Sequence, residues 1–238
     1  MIIDKLTLIM GVPISIPSLG LTINQPTLKD IAAIGEDRFY TSLAYFLITK
    51  KALPEEFHES EISDLEVFLF FLSVAESMRL DVVALFQLCI DDLDSILFFQ
   101  DEIKITLSSG QECIINQEGF SLLKEIFKQI FKLGADLDKY NPANSAAEKI
   151  AEKLKKRQEK ISKLKSDKEN EDSKISNLIS VLAIGSNSNS LKDLENFTLY
   201  QFLVQIQRFG MYESYNNQIS AMMQGAEDIE LVDWYKKI

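Results

Sequence analysis

A mainly α fold with small β elements is what this 238-residue sequence predicts. Apolar residues recur at helical spacing through most of the chain. Short β-friendly runs occur in only two places, bounded by Gly, Pro, Asn or Ser. One Lys-rich stretch, residues 145–174, separates halves of different character. The chain therefore divides into an N-terminal α+β domain (1–144), a long basic linking helix (145–174) and a helical C-terminal region (175–238). A hydrophobic content of 46% that includes 15 Phe supplies a conventional interior and leaves apolar surface for partners.

The elements follow in order. Residues 6–10 and 14–16 are β-friendly and are punctuated by Gly11, Pro13, Pro17 and Gly20, which predicts a hairpin or small meander. Thr27 and Asp30 stand at capping-box spacing before Ile31, Ile34, Phe39, Leu43, Phe46 and Leu47, so a helix interrupted near Gly35 is expected. Residues 59–79 place Ile62, Leu65, Phe68, Leu69, Leu72 and Ala75 on one face, and Asp81 opens a second run through Val82, Leu85, Phe86 and Cys89. These read as two core helices. The most apolar window, 67–75, is too short to span a bilayer and reads as buried helix. Residues 96–100, 103–107 and 112–115 form a β-meander around Ser109 and Gly110, and helix resumes at Glu118 with Leu122, Ile126, Ile130 and Phe131.

Gly134 and Pro142 mark a boundary before the basic stretch. There Ala147, Ile150, Leu154, Ile161 and Leu164 keep heptad spacing, with Arg157 on the seam and Lys168 ending it. Ile150, Leu154, Ile161 and Leu164 are thus the expected connector or oligomer contacts. Residues 175–184 read as a short apolar helix, 185–190 as an exposed polar loop, and 194–209 and 212–223 as two amphipathic helices before an acidic turn and Trp234.

Charge narrows the function. The net charge is −11; residues 145–174 carry +3, leaving −14 on the rest. Such a balance opposes binding to a phosphate backbone, which depends on Lys and Arg displacing counterions. Within the basic stretch, charges alternate in sign, as at Glu152 and Lys156, which suits a solvated helix. It contains no aromatic residues for stacking on bases or anchoring in a membrane surface. Cys89 and Cys113 have no second pair or neighbouring His, so neither a disulfide framework nor a zinc site is indicated. Residues 1–10 lack the shape of a secretory leader, and no signal peptide is expected.

Two residue groups could in principle carry chemistry. Asp91, Asp92 and Asp94 could offer oxygens to a hard cation, but the run lacks the glycine and distal Glu of a calcium loop and reads as a solvated helix end. His58, the single histidine, lies among acids without a nucleophile motif and reads as a surface residue. No catalytic residue, metal ligand or cofactor is expected, and no phosphate-binding glycine loop is present. The chain is expected not to be an enzyme. Partner contacts are instead expected from Phe197, Tyr200, Phe202, Phe209, Tyr212 and Tyr215, whose tyrosines combine an apolar body with a polar end.

Three stretches resemble tail-assembly proteins of long-tailed phages and prophages of Gram-positive bacteria. They are residues 19–36, which include Gln25, Pro26 and Thr27; residues 147–153, continuing into the basic helix; and residues 199–238, from Leu199 through Arg208 and Phe209 to the terminal Trp234 and Tyr235. The resemblance implies a tail assembly chaperone in the host bacterial cytoplasm that coats the tape-measure protein, recruits tail-tube subunits and forms homo-oligomers along its client. A structural tail or baseplate component is the alternative, followed by a nucleic-acid-binding regulator.

Overall fold

The computed structural model describes residues 2–50, 53, 61–133, 174–186, 190–226 and 229–235. The fold is mainly α with two small antiparallel sheets, as expected. Two compact units are formed: Met1–Leu133 joins Lys192–Ile238 in the first, and Gly134–Leu191 forms the second. In the second unit the described helix is α7 (Ile175–Gly185). The linking helix expected over 145–174, with Ile150, Leu154, Ile161 and Leu164, lies outside the described residues apart from Lys174.

The first unit opens on α1 (Lys5–Ile9), where the β-friendly run suggested a strand. The helix forms because an Asp4 carboxylate oxygen accepts from the backbone N–H groups of Leu6 and Thr7, at 3.0 and 3.3 Å, capping a first turn that would otherwise expose its donors. The expected hairpin follows as β1 (Ile14–Ile16) and β2 (Leu21–Ile23), with Ile14 opposite Ile23. Both strands bury alternate residues, Ile14 and Ile16 against Leu21 and Ile23.

Thr27 and Asp30 form the predicted capping box at the start of α2 (Leu28–Ile34). Gly35, at a φ of +91°, separates it from α3 (Glu36–Phe46). The core helices are α4 (Asp64–Val74) and α5 (Glu76–Cys89), so the break falls at Ala75 rather than before Asp81. Ala75 adopts extended backbone geometry, and its side chain offers no cap to the next helix. The meander is β3 (Leu93–Phe98), β4 (Ile103–Leu107) and β5 (Glu112–Ile115), paired in that order. Ile96, Ile105 and Cys113 are in register across it. Helix α6 (Gln117–Ile130) follows.

The chain ends in α8 (Leu191–Leu194) and α9 (Leu199–Met223). The two amphipathic helices expected here are one continuous helix, because Gly210 alone costs too little to end a helix of this length. Its start docks on the first segment of the unit. Thr27 and Thr198 form an antiparallel bridge, and the backbone N–H groups of Leu28 and Lys29 donate to the carbonyls of Phe197 and Glu195 at 2.8 and 3.0 Å.

The core centres on Phe46. Its ring meets those of Phe68, Phe86, Phe120 and Phe127 at centroid distances from 4.7 to 5.9 Å, joining α3, α4, α5 and α6. A polar tie closes the same end of the helices: the buried Lys124 ammonium donates to the Ile48 carbonyl at 2.7 Å and to Asp64 at 3.1 Å. The other Asp64 oxygen accepts from Lys50 N–H. Burial holds the Lys124 pKa below its ordinary value, against the opposing hydrogen bond and charge of Asp64.

Phe46→Ala should cost about 3–5 kcal/mol, because the cavity opens among rings fixed by four helices; denaturant unfolding measures it. Lys124→Met should cost about 1–3 kcal/mol at neutral pH by leaving Ile48 and Asp64 without their donor. With its folded pKa lowered, Lys124 binds fewer protons in the folded than in the unfolded state between that value and 10.5. The wild type should therefore gain stability relative to the variant as pH rises through this alkaline window.

Candidate functional site: an apolar partner-binding surface

The aromatic residues expected to meet partners take three different positions. Thr198 caps α9 in a capping box with Gln201, and the first turn then buries Leu199, Tyr200 and Phe202. Phe202 is fully buried and Tyr200 nearly so, which places both in the core; burial also raises the Tyr200 pKa. Phe197 is half-buried beside the docking bridge. Beyond Phe202 no described residue of α9 is fully buried. Phe209 and Tyr215 are half-buried there, and Tyr212 is exposed.

The tail after α9 folds back along it. Trp234 stacks edge-on against Tyr212 at 5.3 Å, and Val232 N–H donates to Gln218 at 2.8 Å. The Arg208 guanidinium donates to the Trp234 carbonyl. Tyr212 therefore serves this chain's own tail, while Phe209 and Tyr215 remain on a helix that presents apolar surface along much of its length.

A second apolar surface lies on α4, in the window read from the sequence as wholly buried. The helix sequence is apolar nearly all round. Leu65, Val67, Phe68, Leu69 and Leu72 turn inward, leaving Phe70 59% and Val74 71% exposed. The available signal was the lack of a polar face: a helix packed on one side must expose something on the other. Phe70 stands between two hollows. One, of about 690 Å³, mixes apolar and polar lining: Leu69, Leu72, Phe98 and Phe99 with Ser73, Arg79 and Gln100, along with Glu66 and Phe70. The other, of about 500 Å³, is lined by Leu53, Ile62, Val67 and the same Glu66 and Phe70.

Ser63 sets the charge at the groove edge. Its backbone N–H, then its hydroxyl, hydrogen-bond Glu66 and hold the carboxyl below its ordinary pKa, so the groove keeps an anion beside Phe70. Such a surface can bind apolar side chains and favour a cationic flank. Among the described residues, no group of three or more His, Cys, Asp or Glu is arranged to hold a metal ion. Asp91 and Asp92 border a separate polar cleft with Asn24 and Gln111, and the Asp92 carbonyl accepts from Ser108. His58 lies outside the described residues. No described helix is long and apolar enough to cross a membrane.

Trp234 is the only tryptophan and so reports on the folded tail. Tyr212→Ala should red-shift its emission and raise its accessibility to a soluble quencher, with far-ultraviolet circular dichroism unchanged. An unmoved spectrum would mean that Tyr212 does not hold the tail.

A protein-family model described as the YomV second domain matches residues 165–238. That stretch contains residues of both compact units. Its name is associated with phage proteins, which is consistent with a phage or prophage origin for this chain. Comparison with curated proteins and with solved structures returns no match.

Proposed function

We propose that this chain is a non-catalytic phage tail assembly chaperone that binds the tape-measure protein, helps recruit tail-tube subunits and acts as a homo-oligomer in the host cytoplasm. The observation that carries the reading is the exposed apolar face of α4 at Phe70 and Val74, with the hollow that Leu53, Ile62 and Val67 line beside Phe70, on a chain of net charge −11. A helical client prone to aggregation needs apolar contacts to cover its own apolar stripe, and an acidic coat keeps the complex dispersed by mutual repulsion. The resemblance of residues 19–36, 147–153 and 199–238 to tail-assembly proteins, together with the phage-associated family match over residues 165–238, supports the same reading. Phe209 and Tyr215 on the half-covered part of α9 offer a second contact of the same kind.

Co-expression with the tape-measure protein of the same phage should bring that protein into the soluble fraction, and Phe70→Asp should abolish the effect while leaving the thermal transition in place. An insoluble client beside the wild-type chain would overturn the chaperone reading. Mass spectrometry of purified particles separates it from a structural tail or baseplate component: a chaperone should be absent from finished virions, whereas stoichiometric recovery would make it a virion part.

A further inference from the structure

The end of β3 at Phe98, with Phe99 and Gln100 after it, lines the larger hollow on α4. Antiparallel pairing alternates the residues whose backbone groups face the partner strand. Phe99 N–H donates to the Glu102 carbonyl at 2.9 Å across the hairpin, so Phe99 and Leu97 direct their backbone groups toward β4. Ile96 and Phe98 must then direct theirs outward, where no strand pairs with β3 among the described residues. The side chains of these two residues share a face with Ile103, Ile105, Cys113 and Ile115, all buried, yet Ile96 and Phe98 are only half-buried. That is the exposure left by a missing neighbouring strand. Phe98 also meets Phe68 of α4 at 6.5 Å and lines the groove with Leu69 and Leu72.

We propose that the β3 edge accepts an extended segment of a partner protein by strand addition, its apolar side chains seated against Leu69, Leu72 and Phe98 and its basic residues at the two flanks. Main-chain hydrogen bonds to Ile96 and Phe98 would supply register, and the groove would select alternate side chains. Charge selects the occupant. Asp91, Asp92 and Asp94 stand at one end of the strand and Asp101 and Glu102 at the other, while Lys104 is already paired with Glu112 at 2.8 Å. Arg79 lines the groove itself, which places the segment's cations at the flanks rather than inside. A second copy is disfavoured. Antiparallel pairing of two β3 edges would bring the Asp91, Asp92 and Asp94 end of one copy beside the hairpin turn of the other, which carries Asp101 and Glu102, a repulsion of the kind that blocks edge-to-edge association.

The assignment rests on the groove being the client surface and adds, beside the helical part of the client, an extended segment of alternating apolar residues bounded by Lys or Arg. The test uses the full chain and a short capped peptide alternating valine and threonine between terminal lysines. A glutamate-ended counterpart and a lysine-ended helical peptide serve as comparators. The lysine-ended strand peptide should bind, slow hydrogen exchange at the Ile96 and Phe98 amides, and bind at least about tenfold more tightly than either comparator. Ile96→Pro removes an outward N–H without breaking the β4 ladder and should weaken binding about tenfold relative to Ile96→Val. Thermal unfolding of both variants checks that the fold persists.

Absence of binding, binding without protection of the two amides, or preference for the helical peptide would each overturn strand addition. Protection that grows with protein concentration without peptide would identify a second copy as the occupant and overturn the proposed partner. Phe70→Asp separates the two levels. Loss of tape-measure solubilisation in Phe70→Asp but not in Ile96→Pro would keep the groove as client surface and reject strand addition. Solubilisation by both variants, with the peptide still bound at β3, would keep the edge site and reject the groove as the tape-measure contact.

Discussion

Docking of the start of α9 on the start of α2 is the constraint on which the first unit depends. Each helix begins with a threonine capping box, and the two caps meet as an antiparallel bridge between Thr27 and Thr198. The N-terminal N–H groups of α2 cannot be satisfied within the helix. Those of Leu28 and Lys29 find the carbonyls of Phe197 and Glu195, and Leu199 N–H reaches the Pro26 carbonyl. Gln201 extends the seam by donating to the Ile9 carbonyl, 192 positions away. The approach is close enough to demand glycine at position 11: a Cβ there would lie 3.1 Å from the Thr198 methyl, and φ is already +66°.

The seam decides what the rest of the unit presents. Leu199 and Phe202 are buried at the docked end of α9 and leave its remaining turns half-covered, where Phe209 and Tyr215 lie and the Trp234 tail returns. On the other elements, the Phe46 cluster occupies the inner faces of α3 to α6, and α4, apolar nearly all round, leaves Phe70 and Val74 in water. Exposing such residues gains nothing for folding. A partner that covers them would recover that loss, which links the packing of the core to the proposed role in holding an aggregation-prone client.

Local patterns were readable where a short-range signal acts alone. The Thr27 capping box, the interruption at Gly35, the meander through Ser109 and Gly110 and the buried face of α3 follow from spacing and turn chemistry. On α6, Ile126 and Ile130 are buried as expected, but Leu122 is half-buried and Phe120, Leu123 and Phe127 complete the face. The strand propensity of residues 5–9 yields to the Asp4 cap, and the helices expected over 194–209 and 212–223 join into one from Leu199, since Gly210 does not interrupt it. The return of residues 192–238 to residues 1–133 had no local signature: its backbone bonds join positions far apart in the chain. The aromatic group expected on one surface divides for the same reason, with Tyr200 and Phe202 drawn into the core by that return. The groove was missed because an apolar run with no polar face looks the same whether it is covered on all sides or only on one.

Residues of both ends of the chain fold as one cooperative unit through the Thr27 and Thr198 seam. Hydrogen exchange followed by mass spectrometry across a denaturant series tests it directly. Peptides covering α2 and the first turns of α9 should lose protection at the same denaturant concentration, with the same slope. Loss of protection at the start of α9 well before α2, α3 and α6 would contradict it and make the C-terminal segment a separate folding element.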